Sequence, residues 1–279
     1  MLIRRTLFAA SLLFATPGLA QDDPPTAAGG DSITIGGGAI YTSDYEGSDD
    51  YRWTGLPAAI GSVGGFNFQL IGNRASVDLI PDGGGVGWDF QAGPIGVVNF
   101  NRTSTKSIDD TRIRALGKID TGIELGGYVG IGRVGVITSD YDRLSVSLSY
   151  RHDINNAHDS GIWSPAVSYM TPLSRKALVT VFASAERVEN GYADTYFSVT
   201  PAGTVTSGLP TYDADGGWKS WTVGMAGAVS LTGDLTHGLK LVSGVTYKRL
   251  TNDFADSPIV SIAGNRDQWV AGAGLAFTF

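Results

Sequence analysis

In RLSVSLSYR, residues 143–151, apolar and polar side chains alternate almost without a break. A period of two belongs to an extended strand, whose successive side chains point to opposite faces. Leu144, Val146, Leu148 and Tyr150 therefore share one face, opposite Ser145, Ser147, Ser149 and Arg151. The same phase recurs in FNFQL (66–70), IDTGIELGGYV (119–129) and LKLVSGVTYK (239–248). In WVAGAGLAFTF (269–279), Trp269, Leu275, Phe277 and Phe279 share a face opposite Thr278 and several small residues. Beyond the first twenty residues no run approaches the ~18 consecutive apolar residues of a membrane helix. The alternatives are a secreted β-protein, such as a sandwich, or a transmembrane β-barrel.

Residues 1–20, MLIRRTLFAASLLFATPGLA, place two arginines before a short apolar stretch, a Pro-Gly break and small residues. That is the layout of a cleaved secretory signal peptide. The expected division is a signal over 1–20, a short periplasmic segment over 21–31 and a barrel over 32–279. The chain has no cysteine, which excludes disulfides, thiolate chemistry and a lipid-anchored cysteine after the signal. Without Arg4 and Arg5, 18 basic residues face 27 acidic ones, a net charge of −9. That balance argues against nucleic acid and anionic membrane surfaces as general partners. The 39 glycines, about double ordinary usage, sit beside β-formers and suggest strands that pack closely or curve strongly.

Alternation predicts twelve strands: 32–41, 51–61, 66–72, 75–80, 87–100, 118–131, 142–151, 161–170, 176–187, 218–231, 238–250 and 267–279. Short links such as 81–86, 171–175 and 232–237 alternate with long ones at 101–117, 152–160 and 188–217. Short periplasmic turns and long external loops mark an outer-membrane barrel, with both termini periplasmic when the count is even. Trp53, Trp88, Trp163, Trp218, Trp221 and Trp269 all fall near the start of a strand, where an interfacial girdle needs them. The expected fold is therefore all-β, a transmembrane antiparallel up-and-down barrel of about twelve strands. Ten to fourteen remain admissible, because Pro165 sits inside a strand and 132–141 reads either as another strand or as an extension of the sixth.

YTSDYEGSDDYRW (41–53) with LPAAI (56–60), IDTGIELGGYV, the long stretch 192–220 and RLTNDFADSPIV (249–260) together resemble the MltA-interacting protein family (MipA/OmpV). The signature residues are Tyr45, Gly47, Ser48, Asp49, Asp50, Asp256, Ser257 and Pro258, and Ser198 stands where the family usually has glycine. The resemblance implies an outer-membrane protein of a Gram-negative bacterium that the barrel-assembly machinery recognises partly through a terminal Phe. It also implies a scaffold joining a lytic transglycosylase to a murein polymerase, with 21–31 and the periplasmic turns as the contact surface. A passive or substrate-selective outer-membrane pore and a surface-exposed adhesin are the alternatives.

No catalytic, cofactor or metal site is expected. His152, Asp159, His158 and Ser160 share one external loop, without sign of the rigid support a Ser–His–acid arrangement requires. His237 lies in a short turn. Asp44, Glu46, Asp49 and Asp50 form an acidic loop whose spacing does not follow the helix–loop–helix calcium pattern. The Gly runs at 36–38 and 83–85 lack phosphate-loop context. Trp53, Trp88, Leu144, Val146, Leu148, Tyr150, Trp163, Trp221, Tyr247, Trp269, Phe277 and Phe279 are expected to face lipid or the girdle. Asp120, Glu124, Arg151, Lys240 and Lys248 are expected to face the lumen, and 188–217 is long enough to fold inward.

Overall fold

The computed structural model describes residues 31–81 and 85–279, so the expected signal peptide and nearly all of 21–31 lie outside the described residues. The strands are β1 (Ser32–Ser43), β2 (Tyr51–Val63), β3 (Phe66–Ile71), β4 (Arg74–Val77), β5 (Gly87–Asn99) and β6 (Gly122–Val134). They continue as β7 (Arg143–Asp153), β8 (Gly161–Ser174), β9 (Ala177–Val188), β10 (Gly217–Ser230), β11 (Gly238–Leu250) and β12 (Asp267–Thr278). Each pairs antiparallel with its neighbours in the chain, and β12 returns to β1 to close the barrel. Closure leaves no free edge strand at either end of the sheet. The closing register runs from Thr34↔Thr278 to Tyr41↔Ala271, and the Phe279 N–H donates to Ile33 O at 2.9 Å. Glycine permits this seam: a Cβ on Gly38 would stand 2.3 Å from Ala273 O.

The twelve-strand reading holds, with local differences. β6 starts at Gly122 rather than at residue 118, because Asn99↔Gly122 is the last pair that β5 offers. Of 132–141, the first three residues extend β6. The rest is a turn held by the Asp142 carboxylate, which accepts N–H bonds from Val136 (2.6 Å), Ile137 (2.9 Å) and Thr138 (2.5 Å) and the Tyr169 hydroxyl (2.7 Å). Pro165 is tolerated by a lapse on one side. Its pairing with Leu148 on β7 is kept, while the ladder to β9 passes from Trp163↔Arg187 to Ala166↔Ser184.

The outward face is an apolar band edged with aromatic side chains, a surface suited to lipid. Leu144, Val146, Leu148, Phe277 and Phe279 lie on it. At the end carrying the long loops, Tyr41–Trp53 (5.4 Å), Tyr150–Trp163 (4.7 Å), Trp221–Tyr247 (5.3 Å) and Tyr247–Trp269 (4.9 Å) form a girdle. Trp88, at the start of β5, is exposed near the opposite end.

The long connections fold together into a roof over the external mouth. They carry α1 (Thr111–Ala115), α2 (Asn190–Phe197), α3 (Pro201–Ser207), α4 (Asn252–Asp256) and α5 (Pro258–Ser261). Tyr192, Tyr196, Phe197, Phe254 and Val260 bury against one another, and Tyr45, Ile108, Ile113, Leu209 and Ile259 form a second cluster. The Phe197 and Phe254 rings meet edge-on at 5.1 Å. Among the described residues no helix is long and apolar enough to cross a membrane.

Candidate functional site

Beneath the roof, five strands and one loop bring their charged side chains to the middle of the lumen. Glu124 on β6 receives Arg151 Nε at 2.5 Å, and the Arg151 guanidinium also reaches Glu186 on β9 at 2.7 Å. Lys219 on β10 bridges Glu186 (2.9 Å) to Glu46 (3.0 Å), and Lys248 on β11 meets Glu46 at 2.8 Å. Such a continuous chain of alternating charges holds each group by at least one opposite partner. That is the condition under which buried ions are tolerated. The Tyr192 hydroxyl donates to Glu46 at 2.8 Å, while its ring lies 4.5 Å from Lys219 Nζ. Burial, and then Glu46, pushes Tyr192 well above the ordinary phenol range, so it stays a donor. Burial works to raise Glu46 as well, but Lys219 and Lys248 outweigh it and hold that carboxyl down to about 2.

His158 ends the chain. Its Nδ1 lies 2.9 Å from Ser160 Oγ and its Nε2 3.4 Å from Glu124, with the ring packed on Tyr192 and Tyr196. The expected loose loop is therefore a held one: the Asp153 carboxylate accepts the N–H groups of His158 (2.8 Å) and Asp159 (3.0 Å). Ser, His and Glu are thus brought together, yet Ser160 is buried and Glu124 is engaged by Arg151. The arrangement ties the loop to the strand network. His152 stays partly exposed, 3.6 Å from Asp159, and His237 is exposed beside Asp234.

The loop between β1 and β2 carries Glu46 into the lumen because its neighbours are pinned to the roof. Tyr45 donates to Ala263 O at 2.6 Å and Ile259 O at 3.1 Å. Gln268 accepts the Gly47 N–H at 3.3 Å and donates to Ser48 O at 2.8 Å. Gly47 has φ 102°, and a Cβ there would stand 2.6 Å from Val260 Cγ2, so both backbone and space demand glycine. Ser257 donates to Phe197 O at 2.5 Å and caps α5, whose first residue is the buried Pro258, while Asp256 is exposed. Ser198, in place of the family glycine, accepts the Ala214 N–H at 2.9 Å. The signature residues therefore build the roof. Asp49 is exposed, and Asp50 joins Asp44 and Asp109 in an acidic cluster whose carboxylate oxygens lie within 4.8 Å of one another. Burial, then Asp49 and Asp44, raises the Asp50 carboxyl.

Below the network are two cavities that meet at Ile40 and Leu56. The upper, of about 530 Å³, is lined by the network and by Arg52, Arg74, Asn73 and Asn101. The lower, of about 180 Å³, is lined mainly by apolar and small residues, among them Ala58, Ile60, Ile71, Leu178 and Ala226.

Of the five charges expected in the lumen, Glu124, Arg151, Lys240 and Lys248 face it, and Lys240 bonds Thr278 near the periplasmic end. Asp120 does not. It precedes β6 in the external connection, 84% exposed, paired only with Lys118 at 3.7 Å. Alternation alone missed Glu46, Arg74, Glu186, Tyr192 and Lys219. Glu186 shares the inward phase of Ser184 on β9 and was legible in principle. Lys219 was not, because β10 bulges between Trp218 and Ser220 and thereby turns Lys219 and Ser220 inward together.

Similarity to known barrels is of fold only. The toluene transporter TodX of Pseudomonas putida is 9% identical, with 92% of this chain and 91% of that chain covered and a TM-score of 0.36. OprD of Pseudomonas aeruginosa is 9% identical, with 92% and 96% covered and a TM-score of 0.33. No curated relative matches. The profile described as "MltA-interacting protein MipA" matches residues 35–279, which take in the whole barrel beyond the first residues of β1 and every roof segment, and the chain belongs to that family.

Proposed function

We propose that the protein is a non-enzymatic outer-membrane scaffold. It holds a lytic transglycosylase, and with it a murein polymerase, at the outer membrane of a Gram-negative bacterium, to which a cleaved signal peptide exports it. The observation that carries this reading is the closed lumen. A folded roof covers the external mouth, and six charged side chains tie five strands and a loop together across the interior. An open conduit needs a passable path between its lining groups, whereas these charged side chains pair across the lumen. The family description supplies the class of partner, an MltA-type enzyme. The surface available to it is the periplasmic rim: Gly64-Gly65, the rigid turn 135–142, Arg175-Lys176 and 231–237.

In-cell crosslinking of the tagged full-length barrel, followed by mass spectrometry, tests this directly. Recovery of a lytic transglycosylase, reduced when Ile137 and Tyr141 at the exposed face of the turn are changed to Asp, is the expected result. Recovery of assembly factors alone ends the scaffold reading. The second reading, a substrate-selective pore, is favoured by the cavity of about 530 Å³.

A further inference from the structure

The barrel wall has a notch. β3 and β4 are only six and four residues long, and their hairpin turns at Gly72-Asn73. β2 pairs with β3 only from Ala58 to Val63, and the Pro57 carbonyl accepts the Gly72 N–H at 2.8 Å, so Tyr51–Leu56 has a strand partner on one side alone. On the far side of the gap, β4 pairs with β5 only over Arg74–Ser76. Thr54, Gly55 and Pro57 are exposed along this gap and also line the upper cavity, which connects the lumen to the barrel's flank. Trp53, in the external girdle, marks the notch as lying at the outer interface.

The chemistry behind the notch is divided. In the network three carboxylates (Glu46, Glu124, Glu186) already meet three cations (Arg151, Lys219, Lys248). Arg74 is left over. It faces inward from the hairpin tip into the upper cavity, and among the described residues it makes no hydrogen bond or ion pair; its Nε is buried without a partner. Arg52, on the other lip of the notch, likewise pairs with no carboxylate among the described residues. A guanidinium kept from water without a partner is costly, and its planar fork suits a carboxylate or a phosphate. Next to this unfilled positive site, across Ile40 and Leu56, begins the apolar lower cavity. At about 180 Å³ that chamber is narrow, with room for the end of one hydrocarbon chain and not for two.

We propose that the barrel binds a single-chain amphiphile with an anionic head, which enters sideways from the outer leaflet through the notch between β2 and the β3–β4 hairpin. The head sits on Arg74 with Arg52 at the rim, and the chain runs past Leu56 into the lower chamber. This binding is independent of the scaffold reading and needs no periplasmic partner.

The test uses the refolded full-length barrel in nonionic detergent, with hexadecanoate, hexadecyl phosphate and uncharged hexadecanol as probes in calorimetric titrations. One of the two anions is expected to bind one-to-one, at least tenfold more tightly than the alcohol, and the tighter one identifies the head as carboxylate or phosphate. Arg74→Gln should reduce the anion to the level of the alcohol, while Arg74→Lys keeps part of the preference. Ala226→Phe, which fills the lower chamber, should weaken all three probes. Heat-dependent electrophoretic mobility reports that each variant is folded. Equal binding of anion and alcohol by the wild type overturns the proposal, as does unchanged anion binding by a folded Arg74→Gln barrel. Retention of a transglycosylase in crosslinking has no bearing on either outcome, so the two readings fail separately.

Discussion

Glu46 sits on a loop outside the barrel wall, yet its carboxylate joins two lysines and a tyrosine inside it. Replacing it with Gln leaves Lys248 without its salt-bridge partner and Lys219 with Glu186 alone, the situation in which breaking a buried pair costs ~3–5 kcal/mol. The expected outcome for Glu46→Gln is a lower temperature for the heat-induced mobility shift, with the barrel still assembled. The pH dependence has a definite sign. The carboxyl falls from an ordinary 4.5 to about 2 in the folded chain. Its contribution is therefore fully present above pH 4.5 and is lost as the pH drops toward 2. Wild type should lose stability across that window, and Glu46→Gln should show less of that loss. His158 offers a contrast. His158→Phe keeps a ring against Tyr192 and Tyr196 but gives up the contacts with Ser160 and Glu124, and the expected loss is about 1–3 kcal/mol. A mobility shift unchanged in His158→Phe would show that those polar contacts contribute nothing to holding the loop.

Strands that approach closely make the glycines of β6 unequal. Gly126 pairs with Arg151, and a Cβ on it would stand 1.9 Å from Tyr150 O and 2.6 Å from Arg151 Cα, both backbone atoms. Gly127 points to the other face, where a Cβ would meet Gly93 O at an ordinary 3.4 Å. Gly126→Val should therefore prevent β6 from pairing with β7 and abolish heat-modifiable barrel in membrane fractions. Gly127→Ala should fall within about 1 kcal/mol of wild type. At this scale much of the structure was legible. A half-buried strand must alternate, so the apolar faces of β7, β11 and β12 and the inward Glu124 and Arg151 followed from period two. The phase fails where strand pairing, rather than residue type, decides the geometry. Asp120 shares its phase with Glu124 but lies beyond the last pair of β5 with β6, and Lys219 is turned inward by a bulge that no residue type announces. The roof was illegible for another reason. Tyr192 and Phe197 bury against Phe254 from two loops that β10 and β11 separate in sequence, with no common period, and only the family resemblance singled out the neighbouring residues that pin them.

For the molecule as a whole, closure of the lumen is a claim about transport. Two layers block the external mouth: the roof formed by α2 and α3 with their neighbours, and the charge chain from His158 to Lys248 beneath it. Wild-type barrel in planar bilayers is therefore expected to pass no steady ionic current. Replacing 190–215 with a short Gly-Ser linker removes α2 and α3 from the roof together with Tyr192, which is bonded to both Glu46 and Lys219. Adding Glu46→Gln to that deletion unties Lys219 and Lys248 from the loop. With α2 and α3 gone and only Glu124 and Glu186 left against Arg151, Lys219, Lys248 and Arg74, the opened lumen is net positive, so its current should favour anions. The deletion alone should give small or flickering steps, and the combined variant larger and steadier ones. Steady current through wild type would refute the braced lumen and favour the pore. A silent combined variant that still shows the folded mobility shift would move the closure to the lower half, where Lys240 bonds Thr278 and apolar side chains narrow the lumen. Crosslinked recovery of the periplasmic enzyme should be unchanged in both variants, because the roof and the periplasmic rim lie at opposite ends of the same rigid wall.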